Sequence, residues 1–374
     1  MKLYLHIPFC KNKCLYCDFK SFPCAENSRI EEYLTALCKE ISLAGKEFKD
    51  REITSIYFGG GTPSLLSVEQ FSSVFNTIKQ SFNIPSNVEI TVECNPESVT
   101  AEKLSAMALL GVNRISLGVQ SLFDDNLKAI GRVHNRQTAL DKIKLIKDYF
   151  SNLSVDFIVG LPFDTSERIE EELKEAAPLV NHISVYMLSV ESGTPLEKLV
   201  AEGKIEVADA DKQVDLFETA CKTLESLGFD RYEVSNFAKD GLRSNHNTGY
   251  WTREEYLGLG LNASSLVKIH SEAGQQELRL KNIENFEKYL LDIRNSSKFF
   301  DFEREAETLS EDEIYEETVM LALRLSDGIS KDILGEKADV LLSKFTDFVL
   351  DKGDKIALNG KGMDIMNHIL VEIL

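Results

Sequence analysis

Three cysteines near the start of the chain are spaced as ligands of an inorganic centre would be. Cys10, Cys14 and Cys17 stand as C-x3-C-x2-C, directly after a short apolar run. Soft thiolates this close together select zinc or an iron–sulfur cluster. A structural zinc site wants four protein ligands, and this segment offers three. That count favours a [4Fe–4S] cluster over a zinc knuckle or a disulfide pair. Three thiolates leave one iron free to bind a small molecule and pass it an electron.

The composition excludes one class of partner and favours one compartment. The chain has 374 residues and a formal net charge of −19, which argues against nucleic acid as a partner because phosphate binding needs basic side chains. Seven cysteines form no further framework spacing, so disulfides are not expected. The sequence begins without a signal-like segment and contains no apolar run of membrane-spanning length. We expect a cytoplasmic protein; peripheral membrane contact and a homodimer stay open.

Short β-rich runs alternate with helical patterns through the first half of the chain. The predicted strands are residues 3–7, 53–58, 88–92, 114–119, 155–159 and 183–188. The predicted helices between them are residues 29–48, 68–82, 100–110, 138–150 and 167–177. Six βα units in a row predict a parallel sheet with outer helices, and six are too few for a closed eight-stranded barrel. The predicted fold class is α/β, a partial (βα)6 barrel followed by a mainly helical C-terminal domain.

The alternation fades after Pro195, which divides the chain into three predicted parts. Residues 1–200 form the core, 201–300 extend it and include a linker, and 301–374 form a mainly helical, winged-helix-like domain. In the extension, the glycine-punctuated residues 257–267 are predicted to line a cleft. The charged residues 299–308 are predicted to link the last two parts.

Polar residues and glycines recur where the predicted strands end. Glu93 ends the third strand, Gln120 ends the fourth and Asp156 lies inside the fifth. In such folds chemistry collects at the carboxyl ends of the strands, so these side chains and the cysteine loop predict one site. Each residue alone reads as a cap or a turn residue, and only the joint placement favours a site.

A Gly-Gly-Gly-Thr-Pro segment follows the second predicted strand at residues 59–63. It lacks the Lys-Ser/Thr ending and the glycine spacing of a phosphate loop. Three glycines let backbone amides and carbonyls approach a ligand closely. A plain tight turn is the alternative.

The cysteine spacing together with the glycine segment resembles the radical S-adenosylmethionine (radical SAM) family. In that family the open iron chelates the amino and carboxylate groups of S-adenosylmethionine, and reduction cleaves the sulfonium to give a 5′-deoxyadenosyl radical. A wider match, over about residues 1–260, is similar to the oxygen-independent coproporphyrinogen III oxidase family. The matching motifs are Y-x-H-I-P-F-C at 4–10, G-V-Q-S at 118–121, G-R-x-H at 131–134, D-x-I-x-G-L-P at 156–162, E-x-G-T-P-L at 191–196 and Y-E-V-S-N-F-A at 232–238.

This resemblance implies a set of ligand contacts. The residues that would touch S-adenosylmethionine are Tyr4, Gly60, Gly61, Thr62, Glu93, Gln120, Arg132 and Asp156, with Tyr16 stacking beside the cluster. The chemistry agrees, because carboxylates can accept from an ammonium or from ribose hydroxyls, and Arg132 can pair with a carboxylate. Taken alone, Arg132 would read as a solvated surface residue.

Two features separate the members of that wider family. True coproporphyrinogen oxidases carry another cysteine two residues after the third cluster ligand, where this chain has Phe19. The segment H-N-T-G-Y-W at residues 246–251 matches the H-N-x-x-Y-W signature of the HemW-type haem chaperones. A neutral imidazole is a good axial ligand for haem iron, so the resemblance makes His246 the predicted haem contact. The alternative is a packed core histidine.

One position departs from the HemW-type pattern. Relatives usually carry a histidine where this chain has Ser264, which would alter binding if that histidine helps to hold haem. His134 and His270 are candidates for a second ligand.

The resemblance implies a protein that binds a [4Fe–4S] cluster, S-adenosylmethionine and haem and transfers haem to acceptor proteins, without coproporphyrinogen oxidase activity. An oxygen-independent coproporphyrinogen III oxidase and a radical SAM enzyme for an unrelated substrate are the alternatives. Whether S-adenosylmethionine is cleaved or only bound stays open.

Overall fold

A twelve-stranded sheet forms the body of the molecule. The computed structural model describes residues 1–23, 25–271 and 274–374, without the side chains of residues 270, 271 and 275. The strands in chain order are β1 Lys2–Ile7, β2 Phe9–Cys10, β3 Phe22–Pro23, β4 Ser55–Gly60, β5 Glu89–Cys94, β6 Arg114–Gln120, β7 Asn152–Val159, β8 His182–Met187, β9 Asp230–Arg231, β10 Asn236–Ala238, β11 Tyr256–Leu259, β12 Ser264–Ser271, β13 Gly274–Asn282, β14 Arg304–Thr308, β15 Ile329–Ser330, β16 Val349–Asp351 and β17 Lys355–Leu358. The large sheet runs in the order β14-β13-β12-β11-β1-β4-β5-β6-β7-β8-β10-β9.

The six predicted strands form the parallel centre of this sheet, which confirms the predicted fold class. Strands β1, β4, β5, β6, β7 and β8 pair in parallel, each with the next. A seventh parallel strand, β11, pairs with the other edge of β1. Buried aliphatic and aromatic side chains on these strands pack against the outer helices in one continuous core. All carboxyl ends of the parallel strands therefore meet at one edge.

Helices cover the outer face of the large sheet, and the last of them pack in the C-terminal part of the chain. They are α1 Asn27–Glu47, α2 Val68–Ser81, α3 Ala101–Leu110, α4 Asp124–Ala129, α5 Arg136–Lys147, α6 Ser166–Ala176, α7 Pro195–Ala201, α8 Ala210–Ser226, α9 Asn245–Trp251, α10 Phe286–Asn295, α11 Glu311–Ala322, α12 Lys331–Leu334, α13 Lys337–Lys344, α14 Gly360–Asp364 and α15 Met366–Ile373. Local signals set several of their ends. Ser67 and Gln70 form a capping box at the start of α2, and Thr100 caps α3. None of the helices in the described ranges has the length and apolar character needed to cross a bilayer.

Two segments with predicted roles also join the sheet. Residues 257–267, predicted to line a cleft, contribute to the neighbouring strands β11 and β12. Residues 299–308, predicted as a linker, end in β14, which pairs with β13 at the edge of the sheet. The side chains of β14 are mostly exposed. An edge strand tolerates such charge, and charge there blocks pairing with another chain.

The last part of the chain packs around a small core of its own. Strands β15, β17 and β16 form a three-stranded sheet, and Val319, Leu341, Ile356 and Ile369 lie buried between it and helices α11 to α15. Helix α13 ends at Lys344, and strand β16 follows it.

Candidate functional site

The cysteine loop lies at the carboxyl edge of the parallel strands. Cys10 ends β2, which pairs with β3 and so closes the loop on itself. The Leu15 amide donates to the Ile130 carbonyl at 3.0 Å, which ties the loop to the far side of the site. Cys10, Cys14 and Cys17 are half-buried and free. Burial raises the pKa of the Cys10 thiol and raises that of Cys17 to about 11.

The residues around this loop fit an iron–sulfur cluster. In the described ranges, no three side chains of the metal-binding types converge on a point that could hold an ion. Two hydrogen-bond donors nevertheless already face the cysteine sulfurs. Thr62 Oγ1 donates to Cys10 Sγ at 3.6 Å, and Arg132 Nη1 donates to Cys14 Sγ at 3.4 Å. Such donors stabilise thiolate sulfur, the form that binds iron.

Arg132 points into the site and is not a solvated surface residue. Its Nη2 donates to the Gly118 carbonyl at 2.6 Å and to Asn95 Oδ1 at 2.8 Å. Its Nε is buried and has no partner among the described residues. That donor is available to a carboxylate, in keeping with the predicted contact to S-adenosylmethionine.

The glycine segment brings backbone close to the same edge. Gly60 has a φ of 112°, and its amide donates to Glu93 Oε2 at 3.1 Å. A Cβ at Gly60 would lie 2.5 Å from Cε1 of His6, which leaves no room for a side chain. The segment thus ends strand β4 and holds a carboxylate of the site through the Gly60 amide.

Two buried carboxylates, Glu93 and Asp156, lie on the parallel strands of the barrel. We call the carboxyl edge of these strands, where the cysteine loop lies, the mouth of the barrel. Removal from bulk water raises the pKa of Glu93 to about 7, although Glu93 accepts from the Tyr57 hydroxyl at 2.8 Å. Burial also raises the pKa of Asp156, which accepts from Ser116 Oγ at 3.3 Å. Near neutral pH Glu93 can hold or release a proton, and both groups can accept from an ammonium or a hydroxyl.

Three aromatic and amide side chains complete the mouth. The Tyr4 hydroxyl lies 3.0 Å from Nδ1 of His6, and its ring stacks on Tyr57 with centroids 6.2 Å apart. Gln120 adopts a φ of 70° where the pairing of β6 with β7 shifts register. A non-glycine residue there is strained and turns its side chain off the regular strand path. Tyr16 is half-buried beside Cys14 and Arg132, and burial raises its pKa.

His246 lies away from this mouth. Its Nδ1 is 2.8 Å from Ser55 Oγ, at the amino end of β4, and its Nε2 is 2.9 Å from the Tyr250 hydroxyl. The side chain is stacked on Tyr57, and the residue is 1% exposed. Burial lowers its pKa to about 3, so the imidazole is neutral. Both ring nitrogens have partners, as in a packed core histidine, and the haem contact at His246 stays a prediction.

His134 and Ser264, the other positions considered for a second haem ligand, lie on other parts of the sheet region. His134 is buried, its Nε2 lies 3.1 Å from the Val119 carbonyl, and its Nδ1 lies 3.7 Å from Glu97. The side chain of His270 is outside the described part of the chain. Ser264 begins β12 and is exposed.

The sequence prediction missed two residues of the site. Asn95 joins Thr62 to Arg132, and Tyr57 joins His246 to Glu93. Both could have been found from strand geometry. Asn95 follows Glu93 at the end of a strand, and Tyr57 shares a strand face with Gly59.

Comparisons with known proteins identify the family of the chain. Residues 4–176 match the model of the Radical SAM superfamily. Heme chaperone HemW of Bacillus subtilis is 34% identical over 337 residues, which cover 89% of this chain and 86% of that protein. The mitochondrial radical S-adenosyl methionine domain-containing protein 1 of Danio rerio is 32% identical, over 100% of this chain and 86% of that protein.

A further relative and a solved structure also match nearly the whole chain. Heme chaperone HemW of Lactococcus lactis is 30% identical, over 99% of this chain and 96% of that protein. The solved coproporphyrinogen III oxidase HemN of Escherichia coli has the same fold, with a TM-score of 0.82 and 20% identity over 99% of this chain and 89% of that one. By its similarity to these relatives over most of its length, the chain belongs to the radical SAM superfamily and, within it, to the HemW family.

Proposed function

We propose that this protein is a haem chaperone that binds a [4Fe–4S] cluster and S-adenosylmethionine and transfers haem to acceptor proteins. The observation that carries the proposal is the similarity, over most of the chain, to proteins named haem chaperones. Cys10, Cys14 and Cys17 would hold the cluster. An exposed Phe19 in place of a further cysteine supports a chaperone rather than an oxidase.

The residues at the mouth have separate tasks in binding S-adenosylmethionine. Glu93 and Asp156 accept hydrogen bonds from its ammonium or ribose hydroxyls, and the open Nε of Arg132 donates to its carboxylate. Tyr4, Gly60, Gly61, Thr62 and Gln120 would complete the contacts, with Tyr16 beside the cluster. When bound and reduced, the cluster supplies one electron to the sulfonium.

Haem transfer is tested directly under anaerobic conditions. Haemin is titrated into the reconstituted protein while the Soret band is followed, and apomyoglobin is then added as an acceptor. We expect a saturable complex that releases haem to apomyoglobin faster than haem-loaded serum albumin does. Absence of saturable binding would overturn the proposal. Cys14→Ala serves as the cluster control and is expected to lose the visible cluster absorbance.

The second candidate is oxidative decarboxylation of coproporphyrinogen III, which the shared fold with the oxidase favours. The reconstituted protein is given S-adenosylmethionine, dithionite, an electron acceptor and coproporphyrinogen III, and protoporphyrinogen IX is quantified by chromatography. We expect no product. Multiple turnovers per chain would establish an oxidase despite Phe19.

A further inference from the structure

A side-chain network connects two of the predicted cluster cysteines. Asn95 Nδ2 donates to Thr62 Oγ1 at 2.9 Å, and Thr62 Oγ1 lies 3.6 Å from Cys10 Sγ. On its other side, Asn95 Oδ1 accepts from Arg132 Nη2 at 2.8 Å, and Arg132 Nη1 reaches Cys14 Sγ at 3.4 Å. We call Thr62, Asn95 and Arg132 the Asn95 network.

Arg132 fixes which atoms of this network donate hydrogen bonds and which accept them. A guanidinium has donors only, so it requires the carbonyl oxygen of the Asn95 amide to face it. That orientation turns the Asn95 NH₂ group toward Thr62, whose oxygen must accept. The hydroxyl hydrogen of Thr62 is then free to point at Cys10 Sγ. Arg132 and Asn95 together thus aim a donor at each of two sulfurs.

Gly118 on strand β6 packs directly against the Asn95 network. A Cβ on Gly118 would lie 2.9 Å from Asn95 Oδ1 and 2.8 Å from Gln120 Nε2, so a side chain there would displace these two polar groups. The Gly118 carbonyl also accepts from Arg132. Strand β6 therefore holds both the amide and the guanidinium in register with the cysteine loop.

We infer that Asn95 is a positioning residue whose network sets the reduction potential of the cluster by aiming Thr62 and Arg132 at the Cys10 and Cys14 sulfurs. Hydrogen bonds to cluster sulfurs raise the reduction potential, because reduction adds negative charge that the donors stabilise. The inference rests on the proposed cluster ligands. It goes beyond them in giving a redox role to a residue that need not touch S-adenosylmethionine.

The test is a redox titration of the reconstituted protein with dithionite, followed by electron paramagnetic resonance and without S-adenosylmethionine. Asn95→Leu keeps the approximate volume and charge and removes both hydrogen bonds. We expect at least a tenfold lower equilibrium constant for one-electron reduction, a shift of about 59 mV to more negative potential. The control is Asn113→Leu. Asn113 also bridges two backbone groups of the same sheet, Ile90 N and Val88 O, and has no hydrogen bond to a cysteine.

A second pair of variants keeps the inference testable if Asn95→Leu fails to fold. Thr62→Val removes the donor to Cys10 and the acceptor of Asn95 Nδ2, but leaves the Arg132 hydrogen bond to Cys14, so it should give a smaller shift in the same direction. Thr62→Ser should keep the wild-type potential. Because Thr62 and Asn95 act through one path, the shifts of the double variant should not add.

The outcomes separate this inference from the proposed function. Wild-type protein without iron, sulfide or cluster absorbance would overturn both. A normal cluster in the wild type, with unchanged potentials in Asn95→Leu and Thr62→Val, would overturn the inference alone. An equal shift in Asn113→Leu would also overturn it, since the effect would then be general to the sheet.

Discussion

Replacing His246 with alanine tests whether this residue supports the barrel or contacts haem. The substitution removes an imidazole that is 1% exposed, leaves Ser55 Oγ and the Tyr250 hydroxyl without their partner, and removes the stacking on Tyr57 at 4.9 Å. Each unsatisfied buried group costs about 1 kcal/mol or more, and an aromatic contact contributes about 0.5–1.5 kcal/mol. We expect a loss of about 3 kcal/mol in the free energy of unfolding.

The assay is thermal unfolding of the cluster-free protein. For a chain of this length unfolding as one unit, about 3 kcal/mol lowers Tm by about 4 °C. The matched variant is Tyr250→Phe, which removes only the hydroxyl bound to Nε2 and should cost about 1 kcal/mol. Haem affinity is measured on both variants.

The haem affinity of Tyr250→Phe distinguishes the two roles of His246. A haem ligand would be freed by the loss of the tyrosine hydroxyl, so haem would bind more tightly, whereas a supporting residue predicts unchanged affinity. A wild-type Tm for His246→Ala together with a tenfold weaker haem affinity would refute the supporting role.

The pH dependence of stability gives a second test of the supporting role of His246. Burial lowers its pKa to about 3, below the ordinary value of 6.5. The stabilisation by the neutral ring is therefore complete above pH 6.5 and is lost as pH falls from 6.5 toward 3, by about 1.4 kcal/mol per unit. The Tm difference between wild type and His246→Ala should shrink across that window; a constant difference would contradict the assigned burial.

Three further predictions concern the mouth and the cysteine loop. Burial raises the pKa of Glu93 to about 7 from an ordinary 4.5, so the stability of the wild type should fall as pH rises from 4.5 to 7. Over the same pH range Glu93→Gln should gain up to about 3 kcal/mol in the free energy of unfolding relative to the wild type, as measured by unfolding at pH 4.5 and at pH 7. Gly60→Ala should lower the free energy of unfolding by more than about 2 kcal/mol and abolish cluster loading, because its Cβ would meet His6. Gly193→Ala, with nothing within 4 Å of its Cβ, should lower it by about 1 kcal/mol. Equal losses in urea unfolding would contradict the contact with His6. Phe19→Ser should change Tm by less than about 1 °C, because the residue is 65% exposed; a larger change would mean that its ring is packed.

The parallel centre of the fold could be predicted from the sequence because its signals are local. Strands buried on both faces appear as short apolar runs, and Thr100 and Gly111 mark the two ends of helix α3. The Glu93 and Gln120 positions followed from the rule that site residues gather at the carboxyl ends of parallel strands.

The sheet extension and the place of His246 could not be predicted because they depend on distant contacts. The charged strand β14 has no apolar pattern and becomes a strand only by pairing with β13. His246 carries a motif typical of ligand binding, but its partner Ser55 lies 191 residues away. The place of Asn95 at the end of a strand could be read from the sequence, but its hydrogen bonds to Thr62 and Arg132 could not, because those residues lie on other segments.

The position of β1 has a consequence for synthesis of the protein. This strand lies between β4 and β11, and Lys2 Nζ is bound to the carbonyl of Asn245, 243 residues later. At about 5 to 20 residues per second, a ribosome needs roughly 13 to 50 s to pass from Ile7 to Leu259. During that time one edge of β1 has no partner, and the cysteine loop directly follows a strand open to aggregation. Any cluster placed on the nascent chain would therefore be built on an unfinished sheet, and chaperones that cover this edge would act before iron is delivered.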